Sequence, residues 1–104
     1  MFKKFRGIRL PYKKQGLIYF TCVNIQDMPC DIKEKIMNLC TEVGGENYKA
    51  LYEVVTNDNK SILQISKEHF INEKKLYRMR KEFYERFDET KNSSTHLKRK
   101  LSDN

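Results

Sequence analysis

The chain has no tryptophan, two prolines and four glycines among its 104 residues, and no apolar run of the ~18 residues that a membrane span requires. The four glycines form no phosphate-binding loop. Three cysteines, Cys22, Cys30 and Cys40, are odd in number and scattered, so they make no disulfide framework. No C-x-x-C or H-x-x-x-H spacing joins them to the two histidines, which argues against zinc. Cys22 and Cys40 read as core thiols, and Cys30, beside Pro29 at a helix start, has no evident base. The longest apolar stretch, Leu17 to Ile25, is interrupted by Thr21 and Asn24 and lacks the features of a secretory signal. A reducing cytoplasm is the expected compartment.

What is present is charge, unevenly placed. Hydrophobic residues make up 38% and charged residues 34%, a lean core under a charged surface, with six tyrosines and six phenylalanines supplying much of the buriable area. The net charge of +7 sits largely in residues 1–15, where Lys3, Lys4, Arg6, Arg9, Lys13 and Lys14 meet no acid. A second concentration follows late in the chain, at Lys74, Lys75, Arg78, Arg80, Lys81 and Arg86. Such a distribution fits a face that binds a polyanion. A lysine-rich surface with no specific partner fits the same totals.

The patterning predicts one all-α domain, a small bundle of four or five helices over residues 16–88, with a basic arm over 1–15 and a disordered tail over 89–104. Gly7 and Pro11 keep the arm extended or flexible, although Phe2, Phe5, Ile8 and Leu10 could still dock on the body. Residues 17–25 have the β-branched and aromatic content of a strand, but no partner strand exists, and a buried helix is favoured. Pro29 and Asp31 open the next helix, whose stripe is Ile32, Ile36, Leu39, Cys40 and Val43, and Gly44-Gly45 ends it. Asn47 is placed to cap a helix carrying Leu51, Val54 and Val55. Ser61 with Gln64 forms a capping box for a short helix ending at His69 or Phe70. Asn72 caps a last helix, to about Asp88, buried through Leu76, Met79, Phe83 and Phe87. Ile18, Cys22, Ile62, Ile65 and Ile71 complete the expected core. Tyr12, Tyr19, Phe20 and Tyr84 could stack on bases, though packing explains them more cheaply.

The stretch from Ile65 to Arg80 is the most specific feature. Ser66 supplies the small residue facing the second helix, Ile71 an apolar plug under the turn, and Asn72 the cap. Leu76 and Met79 anchor the second helix, leaving Glu73, Lys74, Lys75, Tyr77, Arg78 and Lys81 on or near its outward face. Here the chain resembles helix-turn-helix DNA-binding proteins, including the promoter-reading domain of sigma factors. Its basic arm, the segment from Gln15 to Cys22 and the run Leu76-Tyr77-Arg78 are similar to those of small proteins of clostridial prophages and mobile elements. One position departs from the pattern. Phe70 stands where glycine is usual, so either the turn differs or the register slips by a residue.

The resemblance implies a sequence-specific binder of double-stranded DNA, a transcriptional regulator of a phage or mobile element, with no catalytic role and no cofactor. Its site would be Glu73, Lys74, Lys75, Tyr77, Arg78 and Lys81, with Lys3, Lys4, Arg6 and Arg9 of the arm on the phosphates or in a minor groove. A homodimer and RNA polymerase are the protein partners that such a reading admits, and a membrane is not one. Two other functions suit the same features. One is an accessory DNA binder for recombination or plasmid transfer, the other a protein adaptor with a basic face.

Overall fold

A computed structural model describes the backbone of residues 3–103 and the side chains of residues 3–89. The chain is all-α: α1 (Tyr12–Val23), α2 (Cys30–Gly44), α3 (Tyr48–Thr56), α4 (Ile62–His69) and α5 (Glu73–Asp103). Single turns of 3₁₀ helix, Ile25–Asp27 and Gly45–Asn47, carry the chain from α1 to α2 and from α2 to α3. The segment with strand-like composition is therefore helical. Burial of one face, through Ile18, Cys22 and Ile25, outweighs a small propensity cost, while Phe20 on the other face stays half exposed. Ile18 and Cys22 face the core. The helix starts at Tyr12, inside the stretch read as arm, because Pro11 fixes the entry and its carbonyl accepts from the Gln15 N–H at 3.0 Å.

Like α3, α5 packs against all four other helices. Leu76, Met79, Phe83, Tyr84 and Phe87 of this helix are buried. Opposite them lie Ile36, Leu39 and Cys40 of α2, Ala50, Leu51 and Val55 of α3, and Ile62 and Ile65 of α4. Most of the expected stripes are correct, with four corrections. Ile32, Val43, Val54 and Ile71 only pack against the core's edge and are not enclosed. Four further apolar side chains, Ile8, Ile25, Ala50 and Tyr84, are buried instead. Asn47 precedes α3 without a side-chain capping bond. Gly45, with φ of 54°, makes the left-handed turn that ends α2. α5 passes the end expected near Asp88, and the tail expected over residues 89–104 lies outside the described side chains except at Glu89.

The arm is not loose. Gln15 is fully buried, and its amide holds the arm like a clamp. Its Oε1 accepts the Phe5 N–H at 2.9 Å, while Nε2 donates to the carbonyls of Ile8 at 3.3 Å and Leu10 at 3.0 Å. Held this way, Phe5 meets Tyr84 edge to face at 5.5 Å and Ile8 enters the core. The Arg80 guanidinium lies 3.7 Å over the Phe5 ring and 5.2 Å from that of Tyr77. Arm and α5 thus form one packed unit.

Candidate nucleic-acid interface

The candidate site is built on α4, a three-residue turn and α5. Ser61 caps α4, accepting the Gln64 N–H at 3.1 Å, and Ile62 and Ile65 bury its inner face. At the other end the Ser66 hydroxyl donates to the Ile71 carbonyl, and the Ile71 N–H returns to the Ser66 carbonyl at 3.0 Å. This is why the slot needs a small hydroxylated residue. Phe70 between them adopts the left-handed conformation, φ 55° and ψ 44°. The register does not slip: the turn keeps the geometry that glycine favours and places phenylalanine in it. Asn72 then caps α5, its Oδ1 accepting the Lys74 N–H at 2.8 Å.

From this start the spacing decides which side chains face outwards. Leu76 and Met79 are buried, whereas Lys74, Lys75, Tyr77 and Arg78 are exposed and Glu73 and Lys81 partly so. Lys74, Arg78 and Lys81, four and three residues apart, form one strip along the helix. Lys75 and Arg78 also edge a shallow groove with Val43, Gly44, Met79 and Glu82. Among the described residues, no carboxylate lies within ion-pair distance of Lys74, Lys75 or Arg78. The acids further along α5 are engaged elsewhere. Glu82 pairs with Arg86 at 2.9 Å, and Asp88 with Lys14 at 3.4 Å. Such surface pairs contribute little stability but they leave the first two turns positive.

The clamped arm brings the second basic group to the same helix. The Glu85 Oε2 accepts the Arg9 N–H at 3.0 Å and lies 3.8 Å from the Lys81 Nζ. Arm and helix therefore meet on one carboxylate. Lys3, Lys4, Arg6 and Arg9 are all exposed, on an arm whose Phe5 lies against Arg80 and Tyr84 of α5. Sequence reading missed two residues that build this arrangement. Gln15 is one, and Arg80, spent on the Phe5 ring with its Nε buried and unbonded, is the other. Tyr84 is likewise a packing residue and unavailable for stacking on a base.

A polar network fixes α4 against α3. The Lys60 ammonium lies 3.0 Å from Glu53 and 2.8 Å from Glu68, and His69 Nε2 lies 2.7 Å from Glu53. Glu53, Glu68 and His69 have the spacing of a metal set, with ligand atoms within 4.8 Å, but the Lys60 ammonium already sits between the two carboxylates. The His69 hydrogen bond, then Lys60, holds the Glu53 carboxyl below its ordinary range against the opposing effect of burial. A carboxyl lowered in the folded state contributes stability above its unfolded value, and that contribution is lost as pH falls through the folded one. Thermal unfolding followed downward from about pH 4.5 should therefore show an acid-labile step that Glu53→Gln reduces. An identical acid limb in the variant would show that the network has no such effect.

Among the described residues no helix is long and apolar enough to cross a membrane. No protein-family model, curated protein or solved structure matches the chain.

Proposed function

We propose that the chain binds double-stranded DNA at specific sites, as a regulator of transcription in a phage or mobile element. The observation that carries this reading is the pairing of an unneutralised basic face at the start of α5 with a row of exposed arm cations clamped beside it. A capped helix N-terminus preceded by a tight turn presents its first two turns to a groove without obstruction by the body. Arg78 and Lys75 are then placed to address guanine edges, with Lys74, Lys81 and Tyr77 on phosphates. The clamp changes how the arm takes part. It contributes as a fixed row of charges along the backbone, unlike a free strand that threads a minor groove.

Selection from a randomised duplex library should yield a preferred site. On it, Arg78→Ala or Lys75→Ala should cost about 1–3 kcal/mol where the residue touches a base edge, and much less on random DNA. Two-fold symmetry in the site would place two copies on it, since one such helix reads few base pairs. Absence of retention on any duplex at low salt would favour an adaptor with an acidic protein partner.

A further inference from the structure

Phe70 combines two costs that a merely structural residue would avoid. Its backbone sits in the left-handed region at φ 55°, where a side chain with a Cβ is disfavoured. Its ring is 95% exposed, more than any other large hydrophobic residue among those described. Neither cost yields a contact within the fold, because the turn is already closed by Ser66 and Ile71 and capped by Asn72. Strain and exposure coinciding at one residue point to a role outside the fold.

The surroundings of the ring indicate what it meets. Lys67 precedes it and Lys74 and Lys75 follow it, all exposed; of the neighbouring acids, Glu68 is held by the Lys60 ammonium at 2.8 Å and Glu73 lies in the first turn of α5. An apolar protein surface would be poorly matched to one ring among cations. A polyanion with an apolar spot in it is well matched. The only apolar group that a B-DNA major groove displays is the thymine methyl, and phenylalanine is among the side chains that contact it. The left-handed turn directs the ring away from the body just before the helix start that carries Lys74 and Lys75. We propose that Phe70 is a specificity-determining residue that recognises thymine by its methyl group. This rests on the DNA-binding reading above and adds to it the base and the atom that are read.

The test uses the full chain and the duplex it selects from a randomised library, with each thymine replaced in turn by deoxyuridine. Removing the contacted methyl should weaken binding about threefold to fivefold, the equivalent of one buried carbon. With Phe70→Gly that penalty should vanish at the same position, while Lys74→Ala should retain it. The glycine variant should also melt about 4 °C higher, because it relieves the left-handed strain, so a loss of recognition cannot be ascribed to misfolding. If deoxyuridine penalties are the same for wild type and Phe70→Gly at every position, the thymine assignment is wrong although DNA binding stands. If the wild-type chain selects no duplex at all, the DNA-binding reading fails, and this inference with it.

Discussion

Gln15→Leu should lower folding stability by about 3 kcal/mol and set the arm free. Leucine matches glutamine in size, so the core keeps its volume while the Phe5 N–H and the Ile8 and Leu10 carbonyls lose their partner. An unsatisfied buried polar group costs about 1–3 kcal/mol, and water can reach only part of this set. For a domain of ordinary stability, about 5–15 kcal/mol in total, that is a large fraction. Urea denaturation measures the loss, and limited trypsin digestion reports the arm. Cleavage after Lys3, Lys4, Arg6 and Arg9 should become much faster in the variant. Wild-type stability together with wild-type cleavage would show that the clamp is not what secures the arm.

The second large effect separates charge from packing. Deleting the arm would remove Phe5 and Ile8 from the fold together with the cations, leaving the result ambiguous. Replacing Lys3, Lys4, Arg6 and Arg9 together by glutamine removes only exposed charge, since it is the backbone of Arg9 that bonds Glu85. If each cation neutralises one phosphate, the slope of log affinity against log salt should fall by about 3.6. Affinity at ~0.1 M salt should drop on the order of a thousandfold, on preferred and random duplexes alike. The melting temperature should stay within a degree or so of wild type, because isolated surface charges contribute little to stability. An unaltered salt slope would confine DNA contact to α5.

The two variants act on residues of very different legibility. The inner stripes of α2, α4 and α5 could be read directly, because apolar residues recur with the helical period and Ser61 and Asn72 mark helix starts. The turn could be read down to its single unusual residue, Phe70. Arm docking could be read only as one of two alternatives, with Phe5 and Ile8 among the side chains able to dock. Phe5 and Ile8 lie outside any helix, so they have no period to reveal a face. Gln15 is a polar residue at the centre of the arrangement, and composition rules place such residues on the surface. Its burial makes sense only once three backbone groups converge on one amide, which is a fact of tertiary geometry. Tyr84 escaped for a related reason. α5 is covered on two sides, by the bundle and by the arm, so its buried arc is wider than one stripe. The outward residues Lys74, Lys75 and Arg78 were legible because the anchors Leu76 and Met79 fix the rotation of the helix.

The helix that receives the arm lies far from it in the chain. A ribosome delivers the arm and α1 well before the helix that receives them. Until Tyr84 has emerged, Phe5 lacks the ring it packs against, although α1, α2 and α4 can already pack on α3. The nascent chain can therefore close the Gln15 clamp within the arm and α1, beside a polymer of phosphates, but joins the arm cations to those of α5 only once that helix is made.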